Sequence, residues 1–480
     1  MSKLKNLNPK RVFHYFEQIC SIPRDSGNMK KIADYCENFA VSNNLKCIRD
    51  TADNVIIFKP ASSGYENSEP IILQGHLDMV CQKTAESTCN FDTDGIDLFI
   101  DGDFITANGT TLGADNGIAV AMILAILENN TLAHPPIEAA FTVDEEIGML
   151  GAMQMDMSVF KARKMINLDS EEDGIVTVSC AGGQDLNAVL SLDRIKAFGT
   201  EVLFEINGLN GGHSGMEINS GRVNADLLMG RMLNEISDVC EYEIISINGG
   251  NKSNAIPNRA AAKLCVKDLN AFNTAALKCF NSIKEEIRHR EKSFDINIEA
   301  GSTGEFSVFD NKIKETLLSL MLCLPNGVIE MSAEIENLVE TSLNLGILKT
   351  YDDRLEMCLS LRSSKKTALD FLAKRLSEML KLFGFKYEPS GYYPPWEYNS
   401  NSQLRDIFCK VYSEHCGNTP QIAAIHAGLE CGVFSSGIDN LDCISVGPEM
   451  FDVHTIDERL NISSTNRLFE IIIDVLKSLK

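Results

Sequence analysis

Apolar residues recur at helical spacing through residues 9–43 (Val12, Phe13, Phe16 and Ile19, then Ile32, Ala33, Cys36 and Phe39). The turn-rich Pro23-Arg24-Asp25-Ser26-Gly27 splits that stretch into two helices. Short apolar runs bounded by turns follow at Val55–Phe58, Pro70–Leu73 and Ala139–Val143. The last two are continuous rather than alternating, the pattern of strands covered on both faces, and Met165–Leu168 is a further short strand of that kind. Between them, Gly117–Asn129 reads as a helix that is apolar on most sides. Strand and helix in alternation predict an α/β sheet with helices on both faces.

After about residue 185 the texture changes. Val202–Ile206, Tyr242–Ile247, Ala261–Val266, Phe294–Ile298 and Glu356–Leu361 read as strands, interleaved with helical stretches at 222–237, 272–290, 311–322 and 367–383. Hairpins mixed with helices predict an α+β insert. Near Pro394-Pro395-Trp396 the first pattern returns, with Ser402–Cys416, Gly428–Phe434, Cys443–Val446 and a closing amphipathic helix at 464–479. The expected organisation is a discontinuous unit, 1–185 plus 391–480, with 186–390 inserted into it.

Composition narrows the partners. The net charge is −23, a field that repels phosphate backbones and anionic lipid, so nucleic acid and membrane surfaces are poor partners. The longest unbroken apolar run, Ile118–Leu127, falls far short of the roughly 20 residues that span a bilayer. The N-terminus lacks the apolar core of a secretory signal. Fifteen cysteines without a CxxC pair fit packing thiols in a reducing compartment, and a cytoplasmic protein is expected.

Acidic and histidine residues cluster where the apolar runs end. Pro-Ile-Ile-Leu-Gln-Gly leads into His76-Leu77-Asp78, whose i and i+2 side chains share one strand face. A carboxylate beside a histidine fixes the ring tautomer and strengthens a metal ligand, although a solvated strand-end pair looks the same. Asp115 lies in Thr-Leu-Gly-Ala-Asp-Asn-Gly at the start of the apolar helix, a position equally suited to a simple helix cap. Asp144-Glu145-Glu146 ends another strand; three consecutive acids repel one another unless a cation or open solvent relieves them. Asp169 closes Met-Ile-Asn-Leu, and His454 follows the last strand in Asp-Val-His-Thr. Histidines and carboxylates from five sheet-edge loops form the inventory that two divalent ions need, and imidazole with carboxylate suits zinc, cobalt or manganese.

The stretches GHLDMV, TLGADNGIAVA, FTVDEEIGMLGA, NLDSEEDG, GGHSG, IHAGLECG and the His454 segment, in this order, resemble the M20 family of di-zinc metallopeptidases, in its aminoacyl-histidine dipeptidase branch. That resemblance implies a zinc-exopeptidase-like α/β catalytic domain, a mostly parallel sheet flanked by helices, carrying an inserted α+β lid. It implies His76 and Asp169 on one zinc, Glu146 and His454 on the other, and Asp115 bridging both through a cis Asp115–Asn116 peptide. Cobalt or manganese would be substitutes. Asp78 would orient His76, and Glu145 would be the general base. In the lid, His213 would approach the oxyanion, while Asn254 and Arg362 would bind substrate. His426, Gly428 and Glu430 would lie near the peptide's amino end.

The activity so implied is hydrolysis of unblocked L-dipeptides, Xaa-His included, with homodimerisation through the lid domain as a further expectation. A tripeptidase or N-acyl amino acid amidohydrolase would share the metal residues, and a non-catalytic peptide binder is the alternative outside enzymes. His14, His134, His289, His415 and Cys81 read as structural or surface residues.

Overall fold

In the computed structural model, which describes residues 2–480, every side chain of the strands Ile71–His76 and Ile137–Thr142 is buried. Continuous apolar strands of this kind sit at the centre of a sheet covered on both faces. They pair in parallel, Ile71 opposite Ile137 and His76 opposite Thr142. Lys164–Asn167 and Asp442–Ser445 extend the parallel set on the other side. Val55–Lys59 and Lys46–Arg49 add antiparallel strands at one margin, and Ile175–Cys180 pairs antiparallel with Asp442–Ser445 towards the other. The eight-stranded sheet is therefore mixed, with its central strands parallel. Because the parallel strands share a direction, the residues following His76, Thr142 and Asn167 emerge along one edge.

The helix Ala114–Glu128 is buried over nearly its whole length, as its all-round apolar sequence requires. It starts three residues before the sequence pattern suggests, with an irregular first turn in which Asp115 and Asn116 depart from helical φ and ψ. A four-stranded antiparallel sheet, Leu98–Asp101, Phe104–Ala107, Arg459–Asn461 and Met450–Phe451, carries the C-terminal loop that holds His454. All these elements belong to one compact unit, made of the chain up to Cys180 with Trp396–Ala424 and Leu429–Lys480.

The second unit comprises Ala181–Pro395 and the short segment Ile425–Gly428. Its nine-stranded sheet is antiparallel throughout its paired strands and includes the long antiparallel pair Arg194–Asn207 with Asp295–Phe309. Helices Ala225–Ser237, Leu269–Ile287, Asn311–Cys323 and Lys366–Leu382 contribute to a core that includes Phe204, Phe272, Phe294 and Phe309. Among the described residues, no helix is long and apolar enough to cross a membrane.

One residue of this core sits against the general pattern. Asp226, on the helix Ala225–Ser237, is fully buried, and neither carboxylate oxygen has a hydrogen-bond partner. It lies so close to Gly249 that an added Cβ there would stand 1.7 Å from Oδ1. Burial pushes its carboxyl well above the ordinary carboxylate range. The folded protein thus holds a proton that the unfolded chain releases, so stability falls as pH rises from about 4 through that raised pKa. Asp226→Asn is expected to stabilise the protein by roughly 1–3 kcal/mol at pH 8 and to make little difference near pH 4. Thermal unfolding at the two pH values checks this, and an equal gain at both would contradict it.

Candidate active site

The carboxyl edge of the parallel strands gathers the acidic and histidine residues. His76 Nδ1–H is directed at Asp78, 3.1 Å from its backbone oxygen and 3.3 Å from Oδ1. That leaves Nε2 facing Asp115 Oδ1 at 3.0 Å and Asp169 Oδ1 at 3.4 Å. His454 Nε2 lies 2.9 Å from Asp115 Oδ2 and 3.0 Å from Glu146 Oε2. Asp115 thus stands between the two imidazoles, one oxygen to each. His76, Asp169, Asp115, Glu146 and His454 form one continuous cluster, drawn from loops up to 378 residues apart in sequence.

Local structure explains how each side chain is aimed. Asp144 and His454 adopt left-handed backbone conformations (φ 53° and 62°), which turn the chain sharply at the loop carrying Glu145 and Glu146 and at the C-terminal loop. Asp78 accepts the backbone N–H groups of Glu145 (3.0 Å) and Glu146 (3.2 Å) as well as the Ser26 hydroxyl (2.8 Å), so one carboxylate positions both His76 and the acidic loop. Asn116 Oδ1 accepts the His76 N–H, and its Nδ2 donates to the Leu168 carbonyl, joining two strand ends. An added Cβ at Gly75 would lie 2.4 Å from that Asn116 oxygen, so the glycine makes room for the bond. The Asp115–Asn116 peptide is cis.

Electrostatics follow from the crowding. Burial works to raise Asp115, but its bonds to His454 and His76 outweigh it and hold the carboxyl below the usual range. Burial together with Asp115 and Glu146 pushes Asp169 up to about 6, against the pull of His76. His454 is raised to about 11 by its bonds to Asp115 and Glu146. Burial pushes Glu145 well above the carboxylate range, with Asp169, Glu430 and Glu146 adding to it and His76 opposing. Glu430, fully buried at the start of the helix Glu430–Gly437, accepts from Gln74 (2.5 Å) and Thr142 (2.7 Å).

The cluster fits a cation. Ligand atoms of His76, Asp115 and Glu146 lie within 4.8 Å of one another. Glu146 Oε1 is buried with no hydrogen-bond partner, a costly state for a carboxylate oxygen unless something else binds it. Both imidazole Nε2 atoms face carboxylates, and the second nitrogen of His76 is tied up by Asp78, the arrangement that prepares a histidine for a metal.

The second unit holds His213, Asn254 and Arg362, and with the segment Ile425–Gly428 also His426 and Gly428. His213, on the short strand Gly212–His213, pairs with Ala255, the residue after Asn254. Its Nδ1 accepts the backbone N–H groups of Gly215 (3.2 Å) and Met216 (3.1 Å). Burial, with Arg362 adding to it, lowers the imidazole's pKa, so the ring is neutral and carries its proton on Nε2. Arg362 is 8% exposed, and its Nη1 donates to the Tyr393 hydroxyl at 2.9 Å. Arg362 and Tyr393 sit opposite Gly183 from strands on either side of it, and the missing side chain there makes room for the phenol ring. Asn254, Arg362 and Tyr393 line a cavity of about 480 Å³.

Two supporting residues escape sequence reasoning. Arg24, 2% exposed, donates to the carbonyls of Leu77 (3.1 Å), Asp78 (2.9 Å) and Gly113. Glu458, 3% exposed, accepts from the backbone of Leu112–Asp115. Arg24 lies in the turn-rich Pro23–Gly27 stretch and Glu458 in the segment after His454, and nothing in their spacing marks them.

The model of peptidase family M20/M25/M40 matches residues 72–478. The chain belongs to this family. As an M20 member, it is 35% identical to the cytosol non-specific dipeptidase of Escherichia coli (strain K12) over 100% of this chain and 99% of that one. The crystal structure of an aminoacylhistidine dipeptidase from Vibrio alginolyticus superposes on it with a TM-score of 0.92 at 34% identity, covering 99% of this chain and 98% of that one. An aminopeptidase PepT from Bacillus cereus has a TM-score of 0.58 at 14% identity, over 98% of this chain and 99% of that one, a likeness of fold alone.

Proposed function

We propose that this M20 peptidase is a cytoplasmic metallodipeptidase that hydrolyses unblocked L-dipeptides, Xaa-His among them, with two divalent ions, zinc first and cobalt or manganese as substitutes. The observation that carries the reading is the convergence of His76, Asp115, Glu146, Asp169 and His454 on one strand edge. His76 and Asp169 would hold one ion, Glu146 and His454 the other, and Asp115 would serve both. When bound, the ions supply Lewis acidity that makes a water easier to deprotonate and polarises the scissile carbonyl.

The chain's own groups do the rest. Glu145 takes the proton from the attacking water as its oxygen bonds to the carbonyl carbon. The same carboxyl then delivers that proton to the amine nitrogen as the C–N bond breaks. Asp78 holds His76 in the Nδ1–H form and keeps the Glu145 loop in place. The catalytic role belongs to the first unit and substrate recognition to the second, acting as a lid. There, neutral His213 offers an Nε2–H donor suited to a developing oxyanion. Arg362, backed by Tyr393, offers a guanidinium fork for the free carboxylate of a dipeptide. A homodimer assembled through the lid is part of the same reading.

A panel of dipeptides, tripeptides and N-acyl amino acids tests the substrate class. Preference for tripeptides or N-acyl substrates would replace the dipeptidase assignment. Within that panel, Arg362→Ala is expected to raise KM for dipeptides about 10–100-fold, the worth of a lost charged hydrogen bond, with a smaller effect on kcat. Dipeptide amides, which lack the carboxylate, are expected to bind the native enzyme poorly and to lose little more in the variant. An equal loss for amides and free dipeptides would remove Arg362 from carboxylate recognition.

A further inference from the structure

Glu458 lies four residues beyond His454, in a stretch whose other members, Thr455 to Arg459, are exposed. Glu458 itself is buried. Its Oε2 accepts the backbone N–H groups of Leu112 (2.7 Å) and Gly113 (2.9 Å), and its Oε1 those of Ala114 (2.8 Å) and Asp115 (3.4 Å). These are the amides that open the Ala114–Glu128 helix, donors with no partner inside that helix. They can converge because Gly113 adopts the left-handed conformation (φ 71°), which turns successive N–H groups towards a common centre. From the other side, Arg24 takes the Gly113 carbonyl. The loop is gripped on both its donors and its acceptor.

The loop so gripped presents Asp115, whose two oxygens meet His76 and His454. Glu458 is also anchored at its own backbone, where its carbonyl accepts the Thr106 hydroxyl at 2.8 Å beside the Arg459–Asn461 strand. One side chain therefore fastens the loop bearing Asp115 to the loop bearing His454. We infer that Glu458 is a positioning residue for the metal centre: by binding the Leu112–Asp115 amides, it fixes Asp115 at the right separation from His454. The inference rests on the metallopeptidase reading and adds to it a residue that touches neither metal nor substrate.

The mechanism makes Glu458→Gln informative. The amide is close in shape, so packing survives. It offers one acceptor oxygen in place of two and sets an NH2 donor against backbone donors. The apparent affinity for zinc, measured by chelator competition on native and variant full-length protein, is expected to fall about 10–100-fold, the usual loss when support of a metal ligand is removed. Turnover of a dipeptide is expected to return towards native kcat at saturating zinc, with KM unchanged. Glu458→Gln with native zinc affinity would overturn the inference, and so would a kcat that excess zinc does not restore. Failure of the native protein to bind zinc in the same titration would instead overturn the metallopeptidase reading. A second measurement needs no variant: in the metal-free native protein, hydrogen exchange at Gly113 and Ala114 is expected to be slow, and exchange at the rate of an open loop would overturn the inference.

Discussion

Replacing Glu145 by alanine is expected to lower kcat for dipeptide hydrolysis about 10²–10⁴-fold, the range typical of a lost general base, while zinc binding stays at the native level. The expectation follows from where Glu145 sits. Its neighbour Glu146 faces His454 in the cluster, whereas Glu145 is held by its backbone N–H on Asp78 and is raised by burial and by the carboxylates around it. A carboxyl raised in this way keeps a proton more readily than an exposed one, which suits a group that must accept a proton and then release it. Steady-state kinetics with metal analysis of the same sample checks the pair of outcomes. Native turnover in Glu145→Ala would remove it from the base role, and loss of zinc would make it a ligand instead.

Asp115→Ala is expected to have the opposite signature, losing metal first and activity as a consequence. Asp115 touches both histidines, and no other carboxylate in the cluster does. Removing it takes a negative charge from between the two proposed ion positions and leaves each imidazole without its nearest partner. Zinc affinity should fall further than the roughly 10–100-fold seen for residues that only orient a ligand, with turnover below about 1% of native at ordinary zinc concentrations. Equilibrium dialysis against zinc measures this. Two ions bound at native affinity in Asp115→Ala would mean that the bridge lies elsewhere.

His76, Glu146 and Asp169 are legible in the sequence because they stand where apolar runs end, and Asp115 because it opens one, so an element end and a candidate ligand are read from the same few letters; His454 lies further beyond its strand. The buried helix and the central strands follow from composition for the same reason. The margins are harder. Gly182–Ser191 alternates apolar residues with Gln184, Asp185 and Asn187, and Lys386–Tyr393 is an exposed edge strand containing Pro389 and Gly391, so neither announces itself. Val339–Thr350 is broken by a register shift at Leu345/Ile347, around Gly346. Arg24 and Glu458 are invisible for a different reason. Each binds the backbone of a loop remote in sequence, and backbone groups leave no mark in the order of side chains.

The most direct test is the metal content of the purified protein, followed through chelation and zinc restoration with dipeptide turnover recorded at each stage. Two divalent ions per chain, turnover abolished by the chelator and recovered with two equivalents of zinc, is the predicted result. Undiminished dipeptide turnover by metal-free protein would contradict the account, and so would two bound zinc ions with no hydrolysis of any peptide.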